Sequence, residues 1–292
     1  METNVWELLT LLNKVLIYVS VVGVIGGSFA YVLLGRHHDC LFSIRRYIRW
    51  SSVVGMLGTV GNFFVQVGAF SATGWSGMFD VSIIAILLET SIADSTLTRL
   101  VGFAALMVST IKLTSPLSVP EASIRGTFVL AGVAALLFSF SQTGHLADAD
   151  VLARFAVALH VLMAAVWVGS LYPLWHINRH GNPLEVQHSM RLFGTLAMVI
   201  VAVLLLCGLF LAYRLVGSFT TLVTDPYGWG FLVKTALVLA LLLIAAGNKW
   251  LITPNLVHKG MVRRLSRAIR LEMALALTIL FMTGIITTLI GI

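Results

Sequence analysis

Apolar runs of about twenty residues recur along this chain, each bounded by charge, proline or a polar cluster, and that recurrence constrains the fold more than any other feature. A helix rises about 1.5 Å per residue, so about 20 apolar residues cross a hydrocarbon core of about 30 Å. Eight such runs lie at about 6–34, 49–71, 96–115, 123–144, 151–175, 190–214, 229–250 and 268–291. Lipid offers no hydrogen-bond partners, so each crossing segment must satisfy its own backbone, which favours helices. The expected fold is all-α: a polytopic membrane helical bundle of eight transmembrane helices forming a single membrane domain over 1–292. Composition agrees, with 19 Lys+Arg, 12 Asp+Glu and 59% apolar residues among 292. A water-soluble domain would carry about 25% charged residues. Segment 77–93 breaks the pattern, because its apolar run Val81–Leu88 is short and is fenced by Asp80 and Glu89. It predicts an interfacial or re-entrant helix between the second and third spans.

The charges assign sides. Short cytoplasmic loops collect Lys and Arg, and the loops after odd-numbered spans, with their flanking turns, hold Arg36, Arg45, Arg46, Arg49, Lys112, Arg125, Arg179, Arg191, Lys249, Lys259, Arg263, Arg264, Arg267 and Arg270. The opposite side and outer span halves keep Lys14, Arg99, Arg154, Arg214 and Lys234 with most of the acids: Glu2, Glu7, Asp80, Glu89, Asp94, Asp148, Asp150 and Asp225. Both termini are thereby expected on the periplasmic side. The net charge of +7 is read as topology; lipid is the partner it implies, and a nucleic-acid binder would gather its basic residues on one wetted face. Cys40 and Cys207 lack CxxC spacing and read as small apolar fillers.

The sequence contains no GxxxxGK[ST] and no HExxH, which argues against nucleotide-driven pumping by this chain alone and against a zincin. No catalytic constellation is read, so the chain is expected not to be an enzyme. What remains is a set of polar and soft side chains placed where lipid makes them costly, and such residues are functional candidates. The densest group starts at Gln142-Thr143-Gly144-His145 and continues through Asp148, Asp150 and His160 to Met163 and Trp167. His145, Asp148 and Asp150 fall at the outer mouth between the fourth and fifth spans. His160 sits about nine residues into the fifth span, roughly 14 Å deep. Residues 160, 163 and 167 are spaced i, i+3, i+7 and share one face, presenting imidazole, thioether and indole. Imidazole and thioether suit a soft cation such as Cu(I). A midplane histidine bonded to a neighbouring helix's carbonyl answers the same burial rule, and an inward Met is ordinarily a gap filler.

Other intramembrane polar residues are less specific. Asn62 and Gln66, one turn apart on the second span, line a path or pin helices together. Lys234 snorkels outward or pairs with a carboxylate such as Glu89 or Asp94. Asn248 and Glu272 face each other in depth across spans seven and eight, with Glu272 expected to pair with a nearby Arg. His37, His38, His176, His180, His188 and His258 are read as solvated, with a cytoplasmic metal-release role for His176, His180 and His188 as the alternative.

Several stretches together resemble the copper resistance protein D (CopD/PcoD) family of inner-membrane proteins. They are Thr143-Gly144-His145; the segment from Ala158-Leu159-His160 through Trp167-Val168-Gly169 to Pro173-Leu174; Leu232-Val233-Lys234; Asn248-Lys249-Trp250-Leu251-Ile252-Thr253-Pro254; and Arg270-Leu271-Glu272. The resemblance is strongest over 140–292. Upstream it rests on the eight-span layout and on Thr90 with Arg99, where Ala93 stands in place of the usual Gly and Thr96-Leu97 in place of the bulky aromatic. It implies a bacterial inner-membrane protein of copper handling, moving copper from periplasm to cytoplasm with a separate periplasmic CopC-type copper-binding partner. It also implies His145 and His160 as copper ligands, with Met163 beside them. Two other readings stand alongside: a b-type cytochrome-like haem protein, and a copper-binding assembly or sensing subunit without transport.

Overall fold

The computed structural model describes residues 2–35, 38–71, 73–111, 119–142, 150–216, 224, 226–258 and 260–290. Arg36, His37, Lys112, Thr143, Gly144, His145, Asp148, Asp225 and Lys259 lie outside the described residues. Among the described residues ten α-helices follow in order: α1 (Glu2–Leu33), α2 (His38–Ser71), α3 (Val81–Leu88), α4 (Ser91–Ser109), α5 (Val119–Ser139), α6 (Val151–Gly169), α7 (Leu171–His180), α8 (Pro183–Val216), α9 (Pro226–Gly247) and α10 (Met261–Ile285). Among the described residues there is no strand. Eight helical stretches are long and apolar enough to cross a membrane, with α6 and α7 forming one of them. The protein is a multi-pass membrane protein of all-α architecture.

The short segment after α2 folds as expected. A 3-10 turn, Gly74–Phe79, leads into α3, whose start is capped by Asp80 accepting from the backbone N–H groups of Ser82 and Ile83 at 2.9 and 3.3 Å. Eight residues cannot cross a bilayer, and α3 instead lays Leu87 against Phe63 and Val67 of α2. Thr90 then caps α4 by accepting from Ile92 N–H at 3.3 Å.

Several helices run past the predicted apolar boundaries. α2 starts at His38 rather than near 49, α8 at Pro183 rather than near 190, and α10 at Met261 rather than near 268. Hydropathy locates the hydrocarbon, whereas the backbone ladder continues into the headgroup layer. Basic residues of α2 and α5 act at the end of α4. Arg49 donates to Thr110 Oγ1 at 2.9 Å and to Thr110 O at 3.0 Å, and Arg125 donates to Ser109 O at 2.7 Å, so two arginines satisfy the last carbonyls of α4.

α1 is the hub, packed along α2 and also against α6 and α10. Its contact with α6 is backbone on backbone: a Cβ at Gly169 would collide with Val22 O, and one at Gly26 with Gly169 and Ala165. Small residues permit that approach. α6 ends there because Pro173, with no N–H and a ring that crowds the carbonyl four residues back, interrupts the ladder at Gly169. Ser170 bridges the break, its Oγ donating to Val166 O at 2.6 Å and to Gly26 O at 3.3 Å. α4 packs on α2 and α5, α6 on α8, α7 on α10, and α9 on α10.

Candidate functional site

α6 begins at Asp150, whose carboxylate accepts from Ala153 N–H at 2.7 Å and forms an ion pair with Arg214 of α8 at 2.6 Å. The Ala153 N–H, with help from Arg214, holds the Asp150 carboxyl below the ordinary carboxylate range despite some opposing desolvation. Nearly three turns deeper, His160 Nδ1 lies 3.1 Å from Leu204 O of α8. A carbonyl oxygen only accepts, so Nδ1 carries a proton, and in the neutral form of the ring the lone pair is on Nε2. This is the arrangement by which a backbone carbonyl commonly orients a metal-binding imidazole. Gly208, one turn beyond Leu204, makes room for the ring: a Cβ there would stand 3.2 Å from His160 Cε1 and 3.5 Å from Nδ1.

Met163 and Trp167 follow His160 on its helix face; Met163 is partly buried and Trp167 fully so. Trp167 opens onto a cavity of about 170 Å³ bounded by α6, α7, α8, α9 and α10, lined also by Met190, Met198, Asn248, Lys249 and Glu272. Asn248 Nδ2 donates to Glu272 Oε1 at 2.7 Å, both side chains being buried, and Lys249 Nζ donates to Gly194 O at 2.9 Å. Asn248 belongs to a π-turn, Asn248–Ile252, that widens the end of α9; such insertions are frequent at functional sites. Sequence motifs far apart in the chain thus meet around one cavity. The expected arginine partner of Glu272 is absent among the described residues, because Asn248 occupies the carboxylate. Met190 and Met198 were not singled out by sequence; their i, i+8 spacing on one helix was the available signal.

The remaining candidates lie elsewhere. Asn62 is buried on α2 with its Oδ1 unpartnered among the described residues, and Gln66 donates to Asn62 O of the same helix at 3.5 Å. Both belong to the α1–α2–α4 side of the bundle, away from the His160 face. Lys234 forms no ion pair among the described residues, since Glu89 and Asp94 sit on the α3–α4 side while α9 packs on α10. Arg99 donates to Ser139 Oγ at 3.2 Å and lies over the Phe140 ring, tying α4 to α5. His176 and His180 lie one turn apart on α7 with ring centroids 4.5 Å apart and the rings tilted by 33°, His180 exposed. No group of three His, Cys, Asp or Glu side chains converges as a metal cage among the described residues. His160 with Met163, continuing toward the Met-lined cavity, is the set whose chemistry suits a soft cation handed on rather than caged.

Comparison with known proteins adds the following. The family model for Copper resistance protein D matches residues 187–286, and that for the Copper resistance protein D-like N-terminal domain matches 5–155. The chain is 28% identical to Copper resistance protein D of Pseudomonas syringae pv. tomato over 83% of this chain and 81% of that protein. It is 26% identical to Inner membrane protein YebZ of Escherichia coli K12 over 73% of each. To Copper transport protein CutJ of Bacillus subtilis it is 24% identical over 96% of this chain and 52% of that longer protein. No solved structure matches.

Proposed function

This chain belongs to the copper resistance protein D family, and we propose that it carries copper, as Cu(I), across the bacterial inner membrane from periplasm to cytoplasm. It acts as a carrier rather than an enzyme. One observation supports this reading above the others: the Leu204 carbonyl fixes the protonated Nδ1 of His160 and leaves Nε2 free as a ligand deep in the α6 span. A separate periplasmic CopC-type protein hands the ion to Asp148, Asp150 and His145, the residues that the sequence assigns to the outer mouth. It passes to His160 and Met163, then along Trp167 into the cavity lined by Met190 and Met198, and leaves toward the basic end. Each step exchanges one soft donor for another, so the ion is never fully stripped of ligands in low dielectric. A relative named as a copper transport protein is consistent with transport.

Copper and haem content of detergent-purified wild type and His160→Ala, measured side by side, test the proposal. Wild type is expected to retain copper and His160→Ala to lose most of it; copper in neither overturns the reading. A Soret band would assign His160 to haem instead. Copper bound by the protein, with cytoplasmic copper unchanged on gene removal, would reduce it to an assembly or sensing subunit.

A further inference from the structure

A second cavity, of about 440 Å³, opens between α7 and the first turns of α10, and its lining is of a different chemistry: Arg179, Arg263, Arg267 and Arg270, with Trp175 and Ser266. The copper reading makes no use of it. Arg263, Arg267 and Arg270 are spaced i, i+4, i+7 and form one stripe on α10, while Arg179 reaches the same space from α7 with its guanidinium 5.0 Å from the Trp175 ring centroid. Among the described residues no carboxylate pairs with any of the four. Like charges converging on one cavity repel, and their position at the start of α10 adds to this, since a helix N-terminus is itself positive. The first turn of α10 carries no acidic residue. Trp175 Nε1 is buried with no hydrogen-bond partner among the described residues.

We infer that this cavity is a binding site for a phosphate-bearing anion carrying two or more negative charges. Guanidinium forks match phosphate oxygens bidentately, and four of them exceed what a single carboxylate neutralises. The volume suits a headgroup-sized ligand. Trp175 and Val262 supply an apolar wall beside the charges, as a lipid whose headgroup meets the arginines requires, and basic pockets between transmembrane helices take such headgroups. The ligand's source is an anionic phospholipid or a free diphosphate.

Native mass spectrometry of the full chain in detergent, with cardiolipin, phosphatidylglycerol, phosphatidylcholine or inorganic diphosphate added separately, tests this. Anionic adducts on wild type are expected to exceed phosphatidylcholine adducts at least tenfold. Arg263→Gln/Arg267→Gln is expected to abolish that preference. The control Arg191→Gln/Arg264→Gln removes equal charge from exposed positions that do not line the cavity and is expected to leave it intact. Selective binding of cardiolipin, not displaced by diphosphate, identifies lipid as the source. Diphosphate binding that displaces lipid and is lost in the same double variant identifies the soluble anion. Equal retention of all lipids with no diphosphate bound, or equal losses in both double variants, overturns the inference whatever the copper content.

Discussion

In α1 and α2 the most apolar stretch has 39% and 44% of its residues buried inside the protein, whereas in the spans Pro183–Arg214 and Gly228–Asn255 the share is 11% each. The first pair is clamped along its length. α8 and α9 meet chiefly through the turn Asn248–Asn255, where Gln187 donates to Thr253 O at 3.1 Å and Pro254 O at 2.9 Å. Yet the Leu204 partner of His160, much of the Met-lined cavity and Asn248 belong to these less buried spans, and His160 itself stands on the span Val151–His180, 28% buried, that joins them to α1. Tight packing leaves no space for an ion, and low packing density is where local opening is least costly. The close-packed half acts as a frame, and the sparse half holds most of the candidate site.

The largest effect that would break this contrast lies where the two halves join. Gly169→Val drives a side chain into the Val22 carbonyl of α1, with Gly26 Cα 2.9 Å from the new Cβ. Both obstacles are backbone and cannot rotate away, so a loss of about 3 kcal/mol or more is expected, seen as a collapse in yield or melting temperature in detergent. Gly126→Ala on α5, where a Cβ meets nothing within 4 Å, is expected to be neutral or mildly stabilising. Next in size is Glu272→Ala, which strips buried Asn248 of its acceptor and should cost about 1–2 kcal/mol. Glu272→Gln keeps an acceptor oxygen and should melt within a few degrees of wild type. Equal losses for Ala and Gln would mean that the carboxylate charge, rather than the hydrogen bond, matters there.

The span count and the short helix after α2 were legible because bilayer thickness sets a length, and Val81–Leu88 falls well short of it. Boundaries were less so, because α2, α8 and α10 continue their helical ladders outside the apolar runs, while α4 stops at Ser109, where Arg49 and Arg125 bind its last carbonyls. The depth match of Asn248 and Glu272 was readable, but the identity of the carboxylate's partner was not, since nothing in sequence ranks an Asn over a nearby Arg. His160 illustrates a different limit. Its partner is a main-chain carbonyl, a group every residue carries, so Leu204 left no sequence mark. The convergence of Arg179 with the α10 arginines depended on α7 packing against α10. Motif reading also weighted residues beyond 140, while the N-terminal family model covers 5–155; helix pairs held by Gly and Ser contacts carry little motif.

Gly208→Ala separates folding from function within the sparse half. The new Cβ would stand 3.2 Å from His160 Cε1, pushing the ring off the Leu204 carbonyl by a few tenths of an ångström. Copper retained by the purified protein is expected to fall about tenfold, equivalent to about 1.4 kcal/mol. Melting temperature should hold or rise, because Ala is the better helix former by about 0.5–1 kcal/mol. Unchanged copper retention would show that His160 placement is not limiting.

The smallest effect tests the mouth of the sparse half. Asp150 caps α6 and pairs with Arg214, both side chains about half exposed at 46%, and its carboxyl is held below the ordinary carboxylate range chiefly by the Ala153 N–H. A group whose folded-state pKa is lowered contributes stability above its unfolded pKa and loses it as pH falls through the folded value. The tie between α6 and α8 is therefore expected to be complete at neutral pH and to loosen only under acid conditions, below the usual carboxylate range. Hydrogen exchange at the first turn of α6 should rise there in wild type. In Asp150→Ala that turn should exchange fast at every pH, with no acid step, and added salt should narrow the difference because the ion pair is exposed. An acid step that persists in Asp150→Ala would place the titrating group elsewhere and leave the mouth of the sparse half without this latch.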